Sequence, residues 1–221
     1  MEARAVTVAL MVDLDQGRLD AVPVPGRWSL GEIFDHLIRA DRMFLREVHA
    51  VVERQRRGGV PFVYRGLRDM GFPGGSLPLP LRLPIEGTLV FWNVALPSRL
   101  RELAIRRRVV PARAPRDLVP TPRRAREALL ADLRAGIDEA RRLETVPDLD
   151  FRAPVFYSPL TGLSSIDGLI RLIALHDQRH HQQVREARKA LGLGPDAPSP
   201  DPSADPVHTP AVEQPMETAT S

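Results

Sequence analysis

The sequence contains no cysteine. That excludes disulfides, thiolate metal ligands and a cysteine nucleophile within this chain. It contains one lysine, Lys189, so the other 30 of its 31 Lys+Arg are arginines, a bias that codon usage in a GC-rich genome accounts for. Aromatic residues make up only 5% of the chain, and runs of β-branched residues are short. Ala, Leu, Arg and Glu dominate instead, a composition that favours helices over strands. The N-terminus, M-E-A-R-A-V-T-V-A-L-M-V, carries an acid at position 2 and only a brief apolar run. It makes a poor signal peptide and is too short to span a bilayer, so a cytoplasmic protein is expected. No internal repeat is visible, and 221 residues suffice for one domain with a full core.

What is present is helical patterning. The stretch around which the chain is organised is S-S-I-D-G-L-I-R-L-I-A-L-H-D-Q-R-H-H-Q-Q-V, residues 164–184. Ile166, Leu169, Ile173, Val184, Ala187 and Leu191 recur at helical steps, and His176 and His180 fill the gap in that stripe. Residues four apart lie about 40° apart around a helix, so both imidazoles stand on one inward face. Two neutral imidazoles so placed can grip one metal ion. The plain alternative is a pair of satisfied core histidines.

A second strong segment is R-W-S-L-G-E-I-F-D-H-L-I-R-A-D-R-M-F-L, from Arg27. Ser29 with Glu32 forms a capping box, and Ile33, Leu37, Ala40, Phe44, Val48 and Val51 form a buried stripe with His36 beside it. The helix should end at Gly58-Gly59, with His49 facing solvent. Glu32 and Asp35 flank His36, and a capping and a surface role account for them. A third helix is expected over 122–144, with Thr121 as N-cap and Pro122 as its first residue. A short first helix over 5–17, and a helix through 86–96 broken near Pro97 and resumed to Arg108, complete the set. Residues 58–85, dense in Gly and Pro, read as a functional loop or a poorly ordered insertion, and 145–163 as a loop.

Charge is unevenly placed. Arg99 to Arg126 holds ten arginines against Glu102 and Asp117, without interleaved aromatics or a nucleic-acid motif. A solvated basic surface is the favoured reading, and nucleic-acid binding the disfavoured one. Residues 195–221 hold seven prolines, five acids and no Lys or Arg, so a disordered tail is expected after a folded unit over 1–194. His208 lies in that tail and is a poor ligand candidate. Removing those five negative charges raises the formal net charge from +3 to about +8.

These elements make an all-α four-helix bundle, whose interior can host a metal site built from facing helices. His176 and His180 would come from one helix and His36 from another. Three protein nitrogens leave a position open for water or substrate, the pattern of a catalytic site.

R-W-S-L-G-E-I-F-D-H-L resembles the W-[ST]-x-x-E-x-x-x-H-[LI] opening of the DinB-like (YfiT-like) metalloenzyme superfamily. P-L-T-G-L-S-S-I-D-G-L-I-R-L-I-A-L-H-D-Q-R-H-H-Q-Q-V resembles its closing G-x-[LF]-[ST]…H-x-x-x-H-x-x-Q-[IV] segment. The two occur in the right order, about 140 residues apart, and the resemblance spans roughly residues 1–192. It implies an up-down-down-up four-helix bundle in a bacterial protein. It also implies a divalent metal on His36, His176 and His180, most often nickel or zinc, with iron and copper also suited to three imidazoles. His181 falls on the wrong side of the helix for ligation. Gln183 matches the family's Gln as a structural or ligand-orienting residue. Asp177 falls where the family often has an acid, for which orienting a ligand and facing solvent are the two readings.

Relatives with known activity use low-molecular-weight thiols in S-transfer or isomerisation, and others are held to be hydrolases. The resemblance therefore implies a thiol S-transferase with a small thiol and an electrophile as partners. The alternatives are a metal-dependent hydrolase and a metal-binding stress protein without catalysis. No membrane partner is expected, and a homodimer is compatible with this reading. The sequence departs from the family's pattern in the Gly/Pro-rich 58–85 segment and in its short first helix.

Overall fold

Ser29 and Glu32 open the longest helix of the protein as the sequence predicts. In the computed structural model, Ser29 Oγ accepts from the Glu32 amide at 3.2 Å, and Glu32 Oε2 accepts from the Ser29 amide at 2.8 Å. The structure describes residues 2–66, 68–69, 76–95, 116–147, 149–158 and 162–193. Within them, α1 is Glu2–Val12, α2 Gln16–Asp20, α3 Leu30–Arg56, α4 Leu79–Ala95, α5 Arg126–Glu144 and α6 Ile166–Ala190. A 3-10 turn covers Arg116–Leu118. The chain is thus mostly helical.

The central helix is α3, which packs on α2, α5 and α6, while α1 packs on α5 and α6. Its N-terminal half is buried on every side: Ile33, Phe34, Asp35, His36, Leu37 and Ile38 are all inside. The predicted one-sided stripe is therefore present but is only part of what this helix buries. α3 ends at Arg57, where Gly58 takes φ +72, a left-handed conformation that glycine adopts without a Cβ clash. α6 starts at Ser165, whose Oγ accepts from the Gly168 amide at 3.1 Å, and stops before Gly192 at φ +69.

Three expectations need correction. The first concerns the start of α5. Thr121 does not cap it: its Oγ1 accepts from Arg39 Nη2 at 2.6 Å and its amide donates to the buried carboxylate of Asp35 at 2.7 Å, so it is turned to α3. α5 begins at Arg126 without a side-chain cap from Ala125; instead Gln16 Oε1 accepts from the Arg126 amide at 2.8 Å. The second concerns fold class, which is not purely α. Val63–Tyr64 (β1) runs parallel to Pro154–Ser158 (β2), and β2 runs antiparallel to Gly162–Ser165 (β3). P-V-F-Y-S is a short β-branched and aromatic run that buries Val155 and Phe156, which the prolines around it obscured. The third concerns the first helix, which divides at Asp15, whose side chain caps the separate α2 by accepting from the Arg18 amide.

The 58–85 segment supplies β1 and the start of α4, which begins ahead of the expected residue 86. Leu79, Leu81, Leu83 and Phe91 on α4 are exposed. The predicted continuation to Arg108, most of the arginine run and the 195–221 tail lie outside the described residues. No described helix is long and apolar enough to cross a membrane.

Two apolar clusters form the core. One gathers Leu10, Met11, Leu14, Leu19, Leu30, Phe34, Leu129, Leu133 and Val184 around the N-terminal helices. The other gathers Val48, Val51, Val63, Leu143, Val155, Phe156, Ile166 and Leu169 where the helices meet the sheet. Between them α3 and α6 contribute a polar waist: His36 and Asp41 from one, His176, Asp177, His180 and His181 from the other.

Candidate metal centre

The structure brings His36, His176 and His180 together. Their rings pack with centroids 5.2 Å apart for His36–His176, 4.9 Å for His36–His180 and 4.6 Å for His176–His180. One nitrogen from each lies within 4.8 Å of those of the other two, close enough for one cation to be shared. His36 and His180 are 5% and 7% exposed, and His176 is partly buried. Helical spacing explains the pair on α6, and α3–α6 packing supplies the third ring.

Hydrogen bonds settle the tautomers of two rings. His36 Nδ1 lies 2.7 Å from the Leu118 carbonyl, which can only accept, so the proton of the neutral ring sits on Nδ1 and Nε2 is the basic atom. His180 Nδ1 makes the same kind of bond to Gln183 Oε1 at 2.9 Å. Gln183, the predicted structural or orienting residue, is therefore in place beside a cluster histidine. Burial holds His36 below the usual imidazole pKa, and the Arg179 guanidinium adds to this, against the Leu118 carbonyl and Asp35, which raise it. Burial, the two other imidazoles and Arg179 hold His176 well below it. These two rings are neutral at neutral pH, the state in which imidazole ligates.

Trp28 covers His36, with ring centroids 4.9 Å apart. Asp35 is fully buried rather than on the surface, and Glu32 is occupied in the capping box. The Asp35 carboxylate accepts from Arg39 Nε at 2.7 Å, Arg124 Nη1 at 2.6 Å and the Thr121 amide at 2.7 Å. Burial alone would raise its pKa, but these three donors outweigh burial and hold it below the usual carboxylate value.

Asp177 is neither solvated nor bonded to a cluster histidine. It is 1% exposed and accepts from Arg4 Nη2 at 3.0 Å, and Arg4 Nη2 also lies 2.5 Å from Asp41 Oδ1. Thr7 Oγ stands 3.3 Å from Asp177 Oδ2 and 2.8 Å from His181 Nε2. His181 is thus turned away from the three-histidine cluster, as its position on α6 predicts, and is buried against α1. His49 is exposed, as expected, and pairs with Glu139.

Sequence reasoning missed the Leu118 carbonyl, Arg4 and Thr7. A backbone acceptor leaves no side-chain signature, and the arginine at position 4 is one among 30. The described residues contain one group of three or more His, Cys, Asp or Glu arranged to hold a metal ion, and it is His36, His176 and His180. The donor set fits a divalent cation: three borderline nitrogen bases, two with their second nitrogen already engaged as metal-bound histidines commonly have it.

A family model described as the DinB superfamily matches residues 1–184. Comparison with curated proteins and with solved structures returns no match.

Proposed function

The chain belongs to the DinB superfamily, and from that premise we propose that His36, His176 and His180 hold one divalent cation, nickel or zinc ahead of iron or copper. The observation that carries this is the meeting of three buried or half-buried imidazoles from two helices, their ligating atoms within 4.8 Å of one another. The frame is the family's up-down-down-up bundle, for which α1, α3, α5 and α6 are the candidates, within a folded unit over residues 1–194.

We further propose that the site serves a metal-dependent enzyme that takes a low-molecular-weight thiol as co-substrate for S-transfer to an electrophile. A divalent cation supplies, when bound, a positive charge that favours the anionic form of a thiol or water. The chain's own residues do the rest. Leu118 and Gln183 keep the Nδ1 protons of His36 and His180 in place. Trp28 shields the His36 ring. The excess of arginine suits attraction of an acidic thiol.

The test is metal content of purified, tag-free protein by mass spectrometry, beside His36→Ala and His180→Ala. Near-stoichiometric metal in the parent, lost in both variants, supports the site and justifies a screen of small thiols against electrophiles. Metal without turnover in that screen favours hydrolysis or a non-catalytic stress role. No metal after reconstitution with nickel and zinc rules out the metal-dependent reading.

A further inference from the structure

His36 comes from a different helix than its two companions, and its ring is fixed by a carbonyl that is itself on a connecting segment. Leu118 closes the 3-10 turn, and an irregular stretch runs from it to α5. That stretch contains Pro120 and Pro122, and Arg123 takes φ +56, so it has no regular hydrogen-bonding ladder of its own. Besides the His36–Leu118 bond itself, what ties it to α3 is Asp35, the residue before His36, together with Arg39. One oxygen, Oδ2, accepts from the Thr121 amide and Arg39 Nε; the other, Oδ1, accepts from Arg124 Nη1. The two arginines extend the tie. Arg39 Nη2 donates to Thr121 Oγ1 at 2.6 Å, and Arg124 Nη2 donates to Asp132 Oδ2 on α5 at 2.6 Å. The middle of the segment and its C-terminal end are thus fastened directly through one fully buried carboxylate, and Arg39, held by the same carboxylate, donates from Nη1 to the Asp117 carbonyl at 3.5 Å.

We propose that Asp35 is the positioning residue of His36: its carboxylate holds the 117–124 segment so that the Leu118 carbonyl keeps the His36 proton on Nδ1 and leaves Nε2 basic. Asp35 touches neither substrate nor metal in this role. Its effect passes through the Thr121 amide, three residues along the chain from Leu118. An asparagine amide oxygen can stand where Oδ2 does, but its NH2 then faces Arg124 donor to donor, and the negative charge that strengthens both arginine bonds is gone. The ring of His36 then has no fixed acceptor for Nδ1–H and can place its proton on the nitrogen that ligation needs. The consequence for metal affinity rests on the metal reading above; the consequence for the tautomer does not.

The test is long-range 1H–15N correlation of the imidazole nitrogens in metal-free Asp35→Asn, near pH 7.5, against the parent. His180 is the internal reference, since Gln183 and not the 117–124 segment holds its proton. The expected result is a parent with the proton on Nδ1 of both rings, and a variant in which His36 moves to a mixture of tautomers while His180 keeps its signature. Nickel and zinc, each alone, should then bind the variant about 10- to 100-fold more weakly, as when other orienting partners of metal-bound histidines are removed. A folded variant with an unchanged His36 signature overturns the proposal, and so does one in which both rings change together, because that reports general loosening. If Asp35→Asn does not fold, Arg124→Gln decides in the same way. A parent that binds no metal sinks the metal reading and leaves the tautomer result to judge Asp35.

Discussion

α6 carries two pairs of titratable residues, His176 with His180 and Asp177 with His181, that differ by one residue in the sequence and by everything in their company. His176 and His180 meet His36, whereas His181 and Asp177, about 100° further round the helix, meet Arg4, Thr7 and Asp41. The second group contains both signs of charge. Its two carboxylates share one guanidinium, and burial with the neighbouring Asp41 lifts Asp177 to about 7 despite Arg4, so that a proton stands in for a second cation. The first group contains three bases and no acid. Charges of opposite sign inside a core complete one another and serve structure; a set of bases alone has room for a cation from outside. Shared burial is therefore uninformative here, and the chemical balance of each cluster separates a structural network from a candidate site.

The comparison can be broken most forcefully at Arg4. Arg4→Ala strands two carboxylates beneath α1, and we expect it to lower metal-free stability by about 3–5 kcal/mol in urea titrations. His180→Ala, made in the other cluster, should cost only about 1 kcal/mol in the same assay while abolishing metal binding. Equal losses would mean that both clusters are structural.

Metal addition sharpens the contrast. At 100 times Kd a cation that binds only the folded chain adds about 2.7 kcal/mol. That gain should be visible as a raised melting temperature in the parent and absent in His180→Ala.

Acid separates the clusters next. His36, His176 and His181 have folded pKa values below the ordinary 6.5, with His181 at about 4. The unfolded chain therefore binds more protons below pH 6.5, and their contribution, complete above that pH, is lost as pH falls toward 4. Asp41 and Asp177 have raised values, so the folded chain holds the extra proton and their contribution is lost as pH rises from 3.8 toward 7. The two effects oppose one another, each by at most about 1.4 kcal/mol per pH unit per group. Asp177→Asn removes part of the second, so its stability should fall more steeply than the parent's between pH 6.5 and 4, as read by denaturant midpoints. An unchanged slope would show that Asp177 does not hold a proton in that range. The smallest effect belongs to Gln183→Ala, which removes the acceptor from His180 Nδ1 and should weaken metal binding about 10-fold with little change in stability.

Much of this was legible in the sequence, because local signals there had local causes. The capping box at Ser29 and Glu32, the start of α6 at its serine pair and the three histidines on two inward faces follow from spacing alone. What stayed hidden depends on distant partners. Asp35 looked like a surface residue because helical periodicity places it off the Ile33–Leu37 stripe, and only the 117–124 segment makes that side interior. Asp177 had the same ambiguity until α1 brought Arg4 and Thr7. The sheet was hidden because its strands are short and interrupted by proline, and β1 pairs with a segment some ninety residues away. Thr121-Pro122 carried the right chemistry for a cap, but the Thr121 hydroxyl that would serve it is engaged by Arg39, itself held by Asp35.

The start of α5 has a consequence for how the molecule assembles. Its first amide is received by Gln16, and Gln16 Nε2 in turn donates to the Arg124 carbonyl at 3.1 Å. The helix therefore borrows its beginning from a residue more than a hundred positions earlier. An isolated 122–144 peptide should fray at that end, and slow hydrogen exchange of the Arg126 amide would time the arrival of the N-terminal segment rather than the formation of the helix.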